Sequence, residues 1–197
     1  MLAATATVGG QITGPTGWTT RTTHVELTAA PAAYSAFSHW AGNVPAGKTN
    51  ENPLAFTMDQ PYTLTAYFMP MTTPHGTPLE WLANYYPEFD TNEWAALDED
   101  DTDDDGQPTW AEFIAGTDPR DPSSVFKIRH AQLYNNEQLR IEWPVVTGRI
   151  YAVLGYSNLL DQEPALTFTN LLPDSDQTNE FELSQPLFYR LRVQQAP

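Results

Sequence analysis

Negative charge in this chain is concentrated in one segment, from Glu88 to Asp121. This segment holds thirteen acidic residues and one basic residue, Arg120, whereas the segments on either side are close to neutral. Carboxylates spaced this densely repel one another, so the segment cannot become compact unless water or a cation offsets the charge. Two interpretations therefore compete: a cation-binding loop and a solvated acidic linker.

The stretch from Asp101 to Glu112, called the acidic loop below, has the spacing of an EF-hand calcium loop. Such a loop places oxygen ligands at positions 1, 3, 5, 7, 9 and 12 and a glycine at position 6. The predicted ligands are Asp101, Asp103, Asp105, the backbone carbonyl of Gln107, Thr109 and Glu112. Position 6 is then Gly106, which tolerates a positive φ. Frames starting at Asp98 or Asp100 put an aspartate there instead.

Calcium is the ion that these ligands favour, because Ca²⁺ is a hard cation that takes six to eight oxygens without sulfur or imidazole. We expect Thr109 to be the weakest ligand, acting through its hydroxyl or a water. The four residues from Thr109 to Glu112 also fit a capping box opening a helix that ends at Gly116. With no second paired loop in the sequence, a structural site is predicted and not a sensor. Its affinity could be as modest as about 10⁻⁴ to 10⁻³ M, the range of extracellular modules.

Composition and periodicity predict a mostly β fold with a small α segment. The chain divides into four predicted parts: a β region at residues 1–69, a Pro/Thr linker at 70–76, a helical calcium-binding unit at 77–124 and an antiparallel, β-sandwich-like domain at 125–197. The helical unit is a short helix-loop-helix built around the acidic loop. There is no cysteine, so no disulfide stabilises these small parts, and a metal is one alternative.

Strand predictions rest on the alternation of apolar and polar residues. Three segments of the first β region alternate in this way: His24–Ala29, Leu54–Met58 and Tyr62–Phe68. Six strands are predicted in the last region: Val125–Leu133, Glu137–Val145, Arg149–Tyr156, Ala165–Leu171, Glu180–Leu183 and Leu187–Val193. Two turns, Asn135-Asn136 and Thr147-Gly148, are expected to join the first three of these as hairpins.

The first β region resembles the divergent B-repeat of internalin-type bacterial surface proteins. The motifs that carry this resemblance are Gly9-Gly10, Val25–Pro31, Phe37–Gly42, Asn52–Asp59 and Tyr62–Phe68. The resemblance implies a small β-grasp-like module that serves as a spacer or adhesive repeat. The sequence departs from the family pattern by an insertion at Val44–Glu51, which is expected to be a loop.

Residues 76–126 resemble a calcium unit of exported planctomycete and verrucomicrobial proteins, related to dockerin and thrombospondin type 3 loops. The matching motifs are Gly76–Leu82, Trp94, the acidic loop and Phe113–Ser124. Two positions depart from that pattern, Asp104 in place of Gly and Thr109 in place of Asn. The alternatives for Asp118 and Asp121 are an added carboxylate ligand or an outer-shell contact, and for Asp118 also a cap of the turn before Pro119. The last region resembles the small C-terminal β domain of such proteins through Ile141–Trp143, Gly148–Tyr151, Tyr156–Leu159 and Phe188–Val193.

The sequence predicts a non-catalytic region of a secreted or cell-surface bacterial protein, and part of a longer polypeptide. A net charge of -16 argues against nucleic acid and anionic membranes as partners. The expected partner is an unknown protein or glycan at the cell surface. The four histidines lack zinc-ligand spacing, and no nucleophile elbow or phosphate loop is present, so no enzyme is expected.

A carbohydrate-binding appendage of a secreted polysaccharide-degrading enzyme is the alternative, because the chain is rich in aromatic residues that can stack on sugars. Trp18, in a turn-rich loop, is the best candidate for an exposed aromatic. The other tryptophans considered are expected to pack in small cores: Trp40, Trp81, Trp94, Trp110 and Trp143.

Overall fold

The computed structural model describes residues 1–134, 138–171, 178–182 and 188–196. Within these residues the chain is mostly β with a small helical part, as the sequence predicts. The helices are α1 (Leu79–Tyr85), α2 (Trp94–Glu99) and α3 (Thr109–Ala115). The chain forms two compact units, Met1–Ala95 (the first unit) and Ala96–Pro197 (the second unit), and the boundary between them falls inside α2.

The first unit is built on two three-stranded sheets. Its strands are β1 (Leu2–Ala6), β2 (Gly10–Thr13), β3 (His24–Pro31), β4 (Ser35–Gly42), β5 (Leu54–Thr57) and β6 (Tyr62–Pro70). The sheet orders are β1-β6-β4 and β2-β3-β5. β1 and β6 are parallel neighbours, and the other pairs are antiparallel. Alternation along β3 and β6 buries Leu27 and Leu64 completely, because successive side chains of a strand point to opposite faces.

The insertion at Val44–Glu51 is a loop, as expected, and it packs on the core. The indole Nε1 of the fully buried Trp40 donates a hydrogen bond to the Glu51 carbonyl (2.8 Å). The next residue, Asn52, uses its side-chain amide to bond both the N–H and the carbonyl of Ala29 (2.9 and 2.8 Å). The amide thereby satisfies backbone groups of β3 that would otherwise lack a strand partner.

Residues 70–76, predicted as a linker, are hydrogen-bonded within the first unit. The Met71 N–H donates to the Tyr34 carbonyl (2.8 Å), and the Leu79 N–H at the start of α1 donates to the Met71 carbonyl (2.9 Å). Thr73 is buried. The Trp94 ring, at the start of α2, is also buried, with its centroid 5.4 Å from that of the Tyr34 ring. This short segment therefore has a defined path.

The second unit carries two further sheets, and all its described strand pairs are antiparallel. Its strands are β7 (His130–Tyr134), β8 (Gln138–Glu142), β9 (Arg149–Tyr156), β10 (Leu166–Leu171), β11 (Thr178–Glu182) and β12 (Phe188–Gln195). The sheet orders are β11-β8-β7 and β10-β9-β12. One apolar cluster joins side chains of both sheets: Ile141 from β8 packs with Tyr151 and Val153 from β9.

The predicted hairpin at Thr147-Gly148 is wrong. β8 pairs with β7 and β11, whereas β9 pairs with β10 and β12, so the residues between them cross from one sheet to the other. Pro144, just after β8, cannot donate a ladder hydrogen bond, and the Val146 N–H donates to the Tyr151 hydroxyl (2.7 Å) instead of to a strand. The other predicted turn, Asn135-Asn136, lies outside the described residues.

Candidate metal centre

The acidic loop lies between α2 and α3, and hydrogen bonds from its backbone to its own side chains bend it into a turn. The Asp101 carboxylate accepts hydrogen bonds from the N–H groups of Asp105 (3.1 Å) and Gly106 (2.7 Å). The Asp103 carboxylate also accepts one from Asp105 (3.2 Å). Gly106 has a φ of 94°, in the left-handed region that favours glycine. These bonds aim the backbone N–H groups at the carboxylates and bring the acidic side chains to one point.

Three of the predicted ligands converge. Asp101, Asp103 and Asp105 each place a carboxylate oxygen within 4.8 Å of the other two, and all three residues are half-buried. Two unit charges 4 Å apart repel by about 4 kcal/mol at an effective dielectric of about 20. Burial first, and then the charge of Asp105, raises the pKa of Asp103. The arrangement without an ion is therefore electrostatically unfavourable.

Glu112 is the most perturbed ionisable group described. It is fully buried on α3, and burial, followed by the charges of Asp103 and Asp105, raises its pKa to about 8. Its Oε1 accepts a hydrogen bond from the Thr117 hydroxyl (3.2 Å). Its Oε2 is buried with no hydrogen-bond partner among the described residues, and the same is true of Oδ2 of Asp103. Glu112 lies outside the group of three aspartates whose oxygens are within 4.8 Å.

These residues fit a hard cation. Buried carboxylate oxygens without a partner are rare and costly, and a cation would satisfy them while cancelling the repulsion. Gln107 donates its N–H to Asp105 (2.7 Å), and none of the described backbone hydrogen bonds ends at the Gln107 carbonyl. Thr109 is fully buried, and its hydroxyl donates to the Asp100 carbonyl (3.1 Å).

The predicted capping box at Thr109 is wrong. Pro108 is the N-cap of α3, and no side chain caps the helix there. Thr109 is the first helical residue instead, and the Glu112 carboxylate hydrogen-bonds Thr117, not the start of the helix. The C-terminal prediction is confirmed: Gly116 adopts a φ of 78° and donates its N–H to the Glu112 carbonyl (2.6 Å). The Glu112 side chain is therefore free of a capping role.

Asp118 and Asp121 cap turns. Asp118 Oδ1 accepts a hydrogen bond from the Arg120 N–H (3.0 Å). Asp121 Oδ1 accepts two from Ser123, one from the N–H (2.9 Å) and one from the hydroxyl (2.7 Å). Neither belongs to the group of converging carboxylates described above. In this structure both carboxylates hold the chain between α3 and the second unit's strands.

Helix α3 is fastened to the β part of the second unit by a residue that the sequence did not single out. Arg149, at the start of β9, donates from Nη2 to the Phe113 carbonyl (2.6 Å), and its guanidinium carbon lies 5.8 Å from the centroid of the Phe113 ring. A Cβ at Gly116 would lie 2.9 Å from Val146, so only glycine allows this close approach. The helix that carries Glu112 is thus anchored.

A first prediction concerns Asp104, which lies where the calcium unit that the sequence resembles has glycine. Its φ is 62°, a conformation that costs a non-glycine residue about 1 kcal/mol. We expect Asp104→Gly to raise the free energy of unfolding in calcium by about 0.5–1 kcal/mol. Asp104→Asn is the matched control, because asparagine removes the same charge but relieves the backbone less. An equal gain in Asn and Gly variants, measured by urea denaturation, would assign the effect to charge.

A second prediction concerns Thr117, which orients the Glu112 carboxylate. Groups that hydrogen-bond a metal ligand typically change metal affinity by 10- to 100-fold. We expect Thr117→Val to weaken calcium binding about tenfold and to raise the pKa of Glu112, because this hydrogen bond lowers that pKa. Thr117→Ser keeps the hydroxyl and should restore both values. Isothermal titration and carboxyl NMR measure them, and a valine variant with unchanged affinity would contradict the positioning role.

The tryptophan predictions separate into three groups. Trp40, Trp94 and Trp143 are buried, as expected of core residues. Trp81 and Trp110 are only partly buried. Trp18 is 90% exposed, as predicted for the best sugar-stacking candidate.

The fold and the acidic loop define a mostly β protein of two units with an oxygen-lined candidate metal site. Residues 1–72 match the family model of the divergent InlB B-repeat domain, which confirms the resemblance for the part that spans β1 to β6. B-repeats of this kind typically occur in surface proteins, so the match indicates a repeat-type structural domain in residues 1–72. No curated protein and no solved structure matches the chain significantly. No helix among the described residues is long and apolar enough to cross a bilayer.

Proposed function

We propose that the chain is a calcium-binding, non-catalytic structural or adhesive region of a secreted or cell-surface bacterial protein. The observation that carries this proposal is the pair of buried carboxylate oxygens, on Asp103 and Glu112, that have no hydrogen-bond partner among the described residues. Both belong to the one sequence frame that supplies glycine at position 6 and glutamate at position 12. The family match of residues 1–72 supports the surface location.

Calcium is the proposed ion because the candidate ligands are all oxygens. Four carboxylates, a backbone carbonyl and a hydroxyl or water give a coordination number within the six to eight that Ca²⁺ takes. Magnesium demands a tighter octahedron and retains several waters, and zinc favours the nitrogen and sulfur ligands that this loop lacks. Extracellular calcium concentrations suit a site of modest affinity.

The proposed role of the ion is to fix the chain path between α2 and α3. The acidic loop enters from α2, where the boundary between the two compact units falls, and leaves through α3. Arg149 and Gly116 attach α3 to the β part of the second unit. Closing the loop around an ion would therefore stabilise the segment that joins α2 to α3. A chain without cysteine cannot cross-link this segment by disulfides.

Differential scanning calorimetry with calcium, magnesium and chelator tests this proposal. At a free calcium concentration 100 times the dissociation constant, we expect the fold to gain about 2.7 kcal/mol. Amide exchange in α3 and β9 should slow together, since Arg149 connects them. An unchanged melting temperature in chelator, or equal stabilisation by magnesium, would refute a calcium site. Asp118→Asn is the control, because that carboxylate caps a turn outside the converging group.

Carbohydrate binding is the second candidate function, favoured by the 90% exposure of Trp18. The preceding residue, Gly17, exchanges two backbone hydrogen bonds with Leu2 (2.7 and 2.8 Å), so the loop presents the indole from a fixed base. A large aromatic face held in water is suited to stacking on a sugar ring. A glycan array tests this: binding that is lost in Trp18→Ala supports the candidate, and an array without signal removes it.

A further inference from the structure

A cavity of about 410 Å³ opens on the second unit, away from the acidic loop. It lies where the end of β9 and the following turn meet the start of β12. Its lining combines aromatic, cationic and hydrogen-bonding side chains: Tyr156, Leu159, Asp161, Gln162, Phe188 and Arg190. A concave site with a few converging polar groups among apolar ones is the usual form of a small-ligand site.

The aromatic side chains of this cavity share one face of the sheet. Phe188 and Tyr156 are directly opposite each other in the β12–β9 pair, and cross-strand partners project to the same side. Phe188 is 47% exposed and Tyr156 is partly exposed, although large aromatic residues are usually buried. Their faces are therefore available to stack on a flat apolar ring surface.

Arg190 supplies positive charge on that same face. It and Arg192 are two residues apart on β12, so both side chains project to the side that carries Phe188, and both are exposed. Neither forms an ion pair with any acidic side chain in the described part of the chain. Two exposed arginines side by side on one face can pair with an anionic group of a ligand.

We propose that this cavity binds an acidic sugar residue of a polysaccharide. The sugar carboxylate would pair with Arg190, its ring would stack on Phe188 or Tyr156, and its hydroxyls would hydrogen-bond Gln162 and Asp161. An acidic peptide fits less well, because it lacks the ring hydroxyls that Gln162 and Asp161 would hydrogen-bond. This inference deepens the carbohydrate-binding candidate and is independent of the calcium proposal.

Titration calorimetry with a uronic acid trisaccharide and with its methyl ester tests the inference in the whole chain, with calcium equal in cell and syringe. The ester is the matched control, since it keeps the ring and the hydroxyls but lacks the charge. We expect the acid to bind about tenfold more tightly than the ester, and Arg190→Gln to abolish that difference. Arg129→Gln, which removes an exposed arginine elsewhere in the same unit, should leave both affinities unchanged.

Phe188→Ala should weaken acid and ester alike, and its melting temperature reports whether the fold survives. Equal affinity for acid and ester, or an unchanged preference in Arg190→Gln, would overturn the inference while leaving carbohydrate binding intact. Binding only to polyglutamate would identify a peptide site and also overturn it. Absence of binding to every glycan would remove the carbohydrate function itself.

Discussion

Replacing Glu112 by glutamine is expected to weaken calcium binding by about 100-fold or more and to leave the ion-free protein at least as stable as the original. The glutamate is the predicted ligand at position 12, where EF-hand loops use a bidentate glutamate, and ligand charge is a main determinant of affinity in such loops. Without an ion, burial and the charges of Asp103 and Asp105 make the Glu112 carboxylate unfavourable. Glutamine is a neutral isostere and removes that penalty. The substitution should therefore lower the stability of the protein in calcium and maintain or raise its stability in chelator.

This opposition distinguishes a ligand from an ordinary buried residue. A residue that only packs would lower the melting temperature with and without calcium when it is replaced. Asp104→Asn is the matched control, because it removes one negative charge from the same loop at an exposed position outside the predicted ligand set. A Glu112→Gln variant that loses stability in chelator, or keeps its calcium response, would contradict the assignment.

Calcium affinity is expected to rise about tenfold per pH unit between pH 6 and pH 7. With the pKa of Glu112 raised to about 8, this carboxyl is mostly protonated below pH 7 and must release its proton before it can bind the ion. Each bound calcium should therefore release about one proton at pH 6.5, which calorimetry in buffers of different ionisation enthalpy measures. A carboxyl with its ordinary pKa near 4.5 would give a flat affinity over this range.

The same pKa sets how stability depends on pH in chelator. Because the folded-state pKa of Glu112 is higher than its unfolded value, the folded state holds the proton more tightly. The stability that the Glu112 proton contributes is therefore fully present below about pH 4.5 and is lost as pH rises toward 8. The loss is on the order of a few kcal/mol. Saturating calcium should remove this slope, as should Glu112→Gln, and urea denaturation at fixed pH values measures it.

Local patterns predicted the elements of the first unit well. Strict alternation in His24–Ala29 and Tyr62–Phe68 located β3 and β6, since one buried face of a strand imposes a period of two on its residues. In the second unit the predicted strand Arg149–Tyr156 matches β9 at both ends. By contrast, β7 begins only at His130, five residues after the predicted start, because apolar residues alone do not specify a strand partner.

Pairing between strands was harder to predict. Thr147-Gly148 has the composition of a hairpin turn, yet β8 and β9 belong to different sheets. Turn composition reports only local backbone preference, whereas the sheet that a strand joins depends on contacts far apart in sequence. The predicted capping box at Thr109 is wrong for a related reason: the N-cap of α3 is Pro108, one residue earlier than the sequence pattern indicates.

The sequence by itself determined which residues of the acidic loop are candidate ligands. The positions of Gly106 and Glu112 define a single frame, because backbone geometry and ligand spacing are local properties of twelve residues. Only the tertiary structure decided the electrostatics of that loop. The burial of Glu112, its hydrogen bond from Thr117 and the attachment of α3 by Arg149 depend on side chains that meet through the fold. Burial in particular depends on what packs around a residue, and no spacing rule contains that information.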